Sequence, residues 1–402
     1  MLVDVDFGHT EPGLTLTVGM GSRLHTERQQ FMLHRRCYRR ETLMAIRFEE
    51  VADELRIHYD QQLCARCILP ASFPDISFDE AGVCSYCNDE QEQVLVDPQT
   101  ISQAVESALA GADPQRNYDC LALFSGGKDS SLALSVARRT LGLRVLAFTL
   151  DNGFLSRGSS ANMRRVLDEL EIDHVRFRPP GGMMRPLYKI SMGLEFASDT
   201  TKYSTGGCGS CISMVLASGL RFASAHRIPL LIGGWTPGQF TTSPLVPASF
   251  LNNVVERHFE PLTAASSTLR EQLTGWLATP TGATPVGLLN PLYATRYSEE
   301  ATLAELAKIG WVKPKDTDSC STNCQVNGLL VLDHIKRYQF HPYVYELSHH
   351  VRLGALSRVE ALDKITRVGI QPSGVTRIAA ELGVASSLDL APAGIGDVSG
   401  RR

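Results

Sequence analysis

Ahead of a helix-forming stretch the chain reads Phe124-Ser125-Gly126-Gly127-Lys128-Asp129-Ser130-Ser131. Two adjacent glycines let the backbone turn sharply and bring N–H groups close to an anion, and a helix start adds the positive end of its dipole. The hydroxyls of Ser125 and Ser130 can donate to phosphate oxygens. Lys128 supplies a mobile positive charge for departing phosphates, and the Asp129 carboxylate can hold a Mg²⁺ ion that bridges them. The chemistry these residues suit is a grip on a polyphosphate leaving group. A glycine turn between strand and helix would explain Ser-Gly-Gly alone, but the longer string is more specific. It has neither the Gly-x-x-x-x-Gly-Lys-Ser/Thr spacing of kinases and GTPases nor the Gly-x-Gly-x-x-Gly of dinucleotide binders.

Eight of the ten cysteines come in close pairs: Cys64/Cys67, Cys84/Cys87, Cys208/Cys211 and Cys320/Cys324. In a large intracellular chain such pairs point to metal or redox chemistry rather than to a disulfide framework. Cys64-Ala65-Arg66-Cys67 and Cys84-Ser85-Tyr86-Cys87, sixteen residues apart, have the spacing of a four-thiolate zinc ribbon, each knuckle offering two sulfurs to one face of a tetrahedral Zn²⁺. Redox catalysis would rather set one pair beside a helix. The second set is open to several readings. Cys208 and Cys211 start a helix, Cys320 and Cys324 follow the sheet, and three or four of these thiolates could hold a 4Fe-4S cluster at the active site, with one iron open when only three ligate. A second zinc, a reversible disulfide and plain packing compete with that. Cys120, at the head of an apolar run, reads as an ordinary buried small residue.

The elements that must position these groups alternate from about residue 118. Leu121 to Phe124 reads as a buried strand, then a helix runs from about Asp129 to Arg139. A second strand, Val145 to Leu150, ends at the turn signal Asp151-Asn152-Gly153. A helix over 212–226 leads into a third strand, Leu230-Leu231-Ile232, closed by Gly233-Gly234. Strand, helix, strand in repetition predicts an α/β fold with a parallel sheet, its site beyond the carboxyl ends of the strands. The expected organisation is an extension over 1–60, poorly ordered or solvated; a zinc ribbon over 61–95; the catalytic α/β domain over 100–318; and a C-terminal helical region over 319–402. From about residue 295 the chain reads mostly as helices, with Ser298 and the Ser357/Glu360 capping box marking two starts.

The 402 residues carry 43 % hydrophobic content and a formal net charge of -4. The chain can bury a full core, and no basic excess advertises a nucleic acid or an anionic membrane. A short basic cluster, His34 to Arg40, leaves a nucleic-acid contact open as the lesser reading beside a solvated face. With no apolar run of bilayer length and no secretory pattern in the opening residues, a cytoplasmic location is expected. Homo-oligomerisation is compatible with all of this.

Ser-Gly-Gly-Lys-Asp-Ser closely resembles the pyrophosphate-binding loop of the PP-loop ATP pyrophosphatases (adenine nucleotide alpha-hydrolase-like fold). The resemblance implies ATP cleaved between its α and β phosphates. It implies adenosine contacts at the second strand end, Thr149, Leu150 and Asp151, and a further loop at Gly233-Gly234-Trp235-Thr236, which lacks the His-Asn-x-Asp-Asp wording of tRNA-thiolating members. Catalytic roles then fall to Lys128, Asp129, Cys208 and Cys211. Residues 64 to about 370 further resemble the N-acetyl sugar amidotransferases, through Cys-x-x-Cys-Ile-Leu-Pro, the phrase Ile76 to Cys84, the glycine loop and Ser357 to Ala361. Such enzymes adenylate an amide oxygen, and ammonia from a separate glutaminase subunit then expels AMP. Three readings follow: an amidotransferase on a sugar or other small molecule; a sulfurtransferase for a tRNA base or small amide, with a cluster, persulfide or other sulfur donor; and a non-catalytic nucleotide-binding metal sensor.

Overall fold

The computed structural model describes residues 46–52, 54–89, 96–239, 243–277, 287–295 and 298–385. The basic cluster at 34–40 lies outside them. Within the segment read as an extension, Ile46–Val51 (β1) and Glu54–Tyr59 (β2) pair as an antiparallel hairpin. The pair carries little alternation because only Ile46 and Ile57 are buried, so period-2 reasoning had no signal there.

The main sheet has six strands: Cys120–Leu123 (β3), Val145–Leu150 (β4), Asp173–Phe177 (β5), Leu230–Ile232 (β6), Leu245–Pro247 (β7) and Gly287–Leu289 (β8). Their spatial order is β5-β4-β3-β6-β8-β7, parallel throughout except for the antiparallel edge strand β7. β3 and β4 are buried at every position, as strands covered on both faces must be. Their residues nevertheless alternate between two cores. Cys120, Ala122, Val145 and Ala147 face Pro98–Ala110 (α1), Lys128–Ser135 (α2) and Arg157–Leu170 (α3), while Leu121, Leu123, Leu146 and Phe148 face Met184–Gly193 (α4), Gly206–Ala225 (α5) and Ala248–Ala265 (α6). Cys120 is fully buried, and burial pushes its thiol up, in keeping with a packing role. Helix α5 is long and apolar enough to cross a membrane by length and composition; here half of that window is buried, packed on the sheet.

Helices also dominate the C-terminal part, and they divide between two tasks. Asn327–Tyr338 (α9, after Ser267–Leu277, α7, and Glu299–Ala307, α8) and Pro372–Leu382 (α12) join the core beside α4 to α6. Val344–Arg352 (α10) and Arg358–Thr366 (α11) instead pack on the four-cysteine segment, with Phe340, Val344, Leu347, Ala361 and Ile365 against Cys64, Ile68, Leu69 and Phe73. The Ser357/Glu360 capping box opens α11, and its first residue, Arg358, donates to the carbonyls of Cys67 at 2.8 Å and Cys64 at 3.1 Å.

β4 and β5 add to one side of β3 and β6 to the other, so a topological switch point falls between the parallel strands β3 and β6, with a crevice at their carboxyl ends. Gly234, after β6, lies so close to the start of α2 that a Cβ there would fall 2.7 Å from Ser130 N and Cα and 2.9 Å from Asp129 C. These are backbone atoms and cannot rotate away. Gly234→Ala should therefore cost about 2 kcal/mol or more of stability, read as a lower urea midpoint at unchanged slope.

Candidate active site

The Ser125–Ser130 turn leaves β3 and enters α2, whose N-cap is Gly127. Gly126 has φ +71°, and a Cβ there would meet Ser159 O at 2.6 Å, so only glycine fits this turn against α3. Trp311 Nε1 donates to Gly126 O at 2.9 Å and pins the other side. The hydroxyls of Ser125 and Ser130 lie 3.1 Å apart, and Lys128 Nζ donates to both Asp129 oxygens at 2.7 and 2.9 Å. Ser125, Gly127, Lys128, Asp129, Ser130 and Trp311 line one cavity of about 660 Å³, within the range of small-molecule sites.

The same cavity receives Cys208 and Cys211 from the first turns of α5, and Cys320 and Cys324 from the loop before α9. Thr205 caps α5, accepting from Cys208 N at 3.0 Å, which sets the Cys-x-x-Cys register. Asn152 Nδ2 donates to Cys324 Sγ at 3.4 Å and Cys211 Sγ at 3.9 Å, joining thiols from distant parts of the chain. Cys208 Sγ donates to Asn327 Oδ1 at 3.3 Å, and Asn327 Nδ2 in turn donates to the buried Asp318 at 3.0 Å. All four are free thiols. Burial pushes Cys208 and Cys211 up and takes Cys320 and Cys324 to about 12, so each is neutral at ordinary pH without a cation beside it.

The other residues expected from sequence divide. Leu150 lines the cavity; Thr149 and Asp151 do not. The Thr149 hydroxyl donates to Phe124 O at 2.6 Å and lies 2.8 Å from His174 Nε2. Burial works against the Asp151 charge, but Arg178 at 2.6 Å and Arg176 at 3.1 Å overcome it and hold the carboxyl low. Gly233 gives way to its neighbour: Gly234 and Trp235 line the cavity, whereas a Cβ on Gly233 would run into Trp235 and Asn290. Sequence reasoning missed Asn152, Thr322, Trp311 and Asn327. Asn152 stood inside the turn signal it helped to define, and Thr322 between the paired Cys320 and Cys324; Trp311 and Asn327 occupy a loop and a helix start without a motif.

Cys64, Cys67, Cys84 and Cys87 are buried with all four sulfurs within 4.8 Å of one another. The sulfur separations of 3.8 Å (Cys64–Cys87) and 3.7 Å (Cys67–Cys84) match the ~3.8 Å edge of a tetrahedron with ~2.3 Å metal–sulfur bonds. Hydrogen bonding from Cys84, helped by the Leu69 amide, draws the Cys67 thiol down while Cys84 is pushed up. These residues fit one bound metal ion. No other trio of His, Cys, Asp or Glu ligand atoms among the described residues lies so close, so the cavity cysteines form no ready-made single-ion site.

No protein-family model matches the chain. An uncharacterized protein of Methanocaldococcus jannaschii shares 23% identity over 250 residues, 62% of this chain and 73% of that protein. Among solved structures, the chain is similar to an NH3-dependent NAD synthetase from Campylobacter jejuni (16% identity, 66% of this chain and 97% of that one, TM-score 0.30). It is also similar to the U34-tRNA thiolase NcsA from Methanococcus maripaludis with its 4Fe-4S cluster (15%, 80% and 97%, TM-score 0.29) and an NMN synthetase from Francisella tularensis (12%, 45% and 93%, TM-score 0.26). At such overlap none of them transfers an activity.

Metal analysis of Cys84→Ser should find about one fewer tightly bound ion per chain and a lower melting temperature, because binding and folding of that segment are linked. Unchanged metal content would exclude these thiols as ligands. In metal-free, reduced protein, the Cys324 thiol held at about 12 leaves a minute thiolate fraction near neutrality. Its iodoacetamide labelling, followed by peptide mass spectrometry, should climb about tenfold per pH unit from pH 7 to 9. A flat profile would contradict the assignment.

Proposed function

We propose that the chain is an ATP-using enzyme that adenylates an oxygen of its substrate. A substrate amide or carbonyl oxygen attacks the α-phosphorus, the bond to the β-phosphate oxygen breaks, and pyrophosphate leaves. A nucleophile then adds at the activated carbon, and AMP departs with the oxygen. The backbone amides from Gly126 onward and the hydroxyls of Ser125 and Ser130 grip the leaving pyrophosphate. Lys128 offsets its charge, and Asp129 is the residue to hold Mg²⁺. The observation that carries this reading is the position of the Ser-Gly-Gly-Lys-Asp-Ser turn, at the carboxyl end of the central strand and the topological switch point, open to a substrate-sized cavity.

The four cavity cysteines support sulfur as the nucleophile. Displacement by ammonia needs no thiol, whereas this cavity gathers four, with Asn152 joining Cys211 and Cys324. Bound to Cys208, Cys211 and Cys324, an iron–sulfur cluster would supply an iron open to a sulfur ligand. The amidotransferase reading keeps one specific support: the four-cysteine phrase with Cys-Ile-Leu-Pro is built intact. We assign Zn²⁺ to Cys64, Cys67, Cys84 and Cys87, on the single-ion spacing of their sulfurs. A small amide acceptor in the cytoplasm, with a separate sulfur or ammonia donor, completes the proposal.

Incubation with ATP, Mg²⁺ and candidate amides, with sulfide or ammonium in parallel, should release AMP and pyrophosphate in equal amounts. Lys128→Ala and Asp129→Asn should each slow this by about a hundredfold or more. Cleavage to ADP and inorganic phosphate would overturn the mechanism. Turnover with ammonium alone would replace sulfur by nitrogen, and no turnover with any acceptor would favour the sensor reading.

A further inference from the structure

The loop that carries Cys320 and Cys324 also reaches the phosphate turn. Thr322 Oγ1 accepts from Lys128 N at 3.0 Å, a backbone donor of the α2 N-terminus. A Cβ built on Gly127 would lie 3.1 Å from Thr322 Oγ1 and 3.3 Å from Ser125 Oγ, so two hydroxyls flank this glycine from opposite parts of the chain. Ser130 Oγ stands 3.1 Å from Ser125 Oγ and completes a set of three. A hydroxyl that accepts one hydrogen bond keeps its own proton to donate.

Thr322 cannot easily swing aside when an anion arrives, because its loop is tied down on both flanks. Asp318 Oδ1 accepts from Cys320 N at 2.9 Å and Ser321 N at 2.8 Å, and Ser321 Oγ accepts from Cys324 N at 3.3 Å. Asn323 O accepts from Ser156 N at 2.9 Å and Ser159 Oγ at 3.1 Å, and Gln325 N donates to Phe154 O at 2.9 Å. An entering phosphate therefore meets the hydroxyl in place.

We propose that Thr322 is a third phosphate-binding hydroxyl of the turn, donating to an oxygen of the ATP β- or γ-phosphate while its own oxygen takes the Lys128 N–H. The inference rests on the pyrophosphate-grip reading above and deepens it. The anion becomes a bridge between the phosphate turn and the cysteine loop, since Thr322 lies two residues from both Cys320 and Cys324. Filling the phosphate site thereby tightens the wall on which two of the four thiols sit.

Titration calorimetry of the full chain with magnesium pyrophosphate, and separately with ATP, tests this. Thr322→Val, equal in shape but without the hydroxyl, should bind pyrophosphate about tenfold or more weakly than the natural chain, the size expected for a lost hydrogen bond to a charged group. Thr322→Ser should stay within about threefold. Equal or tighter binding by Thr322→Val would overturn the proposal, tighter binding meaning that the hydroxyl competes with the anion for the Lys128 amide. An equal loss in both variants would assign the effect to loop packing and overturn it too. Failure of the natural chain to bind either ligand would bring down the phosphate-grip reading itself, and this inference with it.

Discussion

The site depends on close approach between backbones at the phosphate turn. Gly126 sits 2.6 Å, counted from its would-be Cβ, from Ser159 O at the start of α3, and Gly234 sits 2.7 Å from the backbone of Ser130. No side chain fits in either gap. The turn is thereby wedged between the segment after β4 and the segment after β6, with Trp311 holding the Gly126 carbonyl from a third direction. Amides held in place before an anion arrives need no reorganisation when charge develops on it, which is what makes such a cradle useful for a leaving group. The arrangement exists because β3 and β6 are parallel neighbours at the switch point of the strand order. In an order that placed these strands apart, Gly234 could not reach Ser130.

Much of the frame was legible because it obeys strong local rules. β3, β4 and β6 are short apolar runs closed by glycine or Asx turns, and the Ser298 and Ser357 caps stood where the sequence put them. The site was readable where one contiguous string carries the chemistry, as in Ser125 to Ser130. Three-residue β7 and β8 left no periodic signal, and the β1–β2 hairpin buries too little to show one. Thr149 and Asp151 illustrate a different limit. Both stand at the right strand end, yet one hydroxyl is spent on Phe124 O and one carboxylate on two arginines. Which neighbour satisfies a polar group is a tertiary fact, and spacing along the chain does not contain it. Asn152 and Thr322 were missed for the same reason in reverse.

The two cysteine sets differ in the physical state of their sulfur. Four buried sulfurs within 4.8 Å cannot all carry protons comfortably or all lose them, and the opposite shifts of Cys67, down, and Cys84, up, follow from that crowding. A single cation would relieve it by accepting all four as thiolates. The module so closed is also the support for α10 and α11, through Arg358 on the carbonyls of Cys64 and Cys67. In the cavity, by contrast, each thiol is half-buried and neutral, held by an amide or a hydroxyl rather than by another sulfur.

That difference bears on how the chain joins its two halves. The thiols from α5 belong to the sheet-covering core, whereas Cys320 and Cys324 come from a loop between α8 and α9, beyond the last strand of the sheet. Only tertiary ties bring them together: Leu155 bridges to Cys324 beside the phosphate turn, Asn152 reaches across to Cys211, and Thr322 touches Lys128. Every one of these ties starts from a segment at the carboxyl edge of the sheet, where the phosphates of ATP would lie. On the sulfur-transfer reading proposed above, a cavity whose nucleophile side and leaving-group side share their supports would make sulfur chemistry conditional on a filled phosphate site. An activated imidate meets water unless the nucleophile is already in place, and shared supports are a direct way to keep the two steps in order.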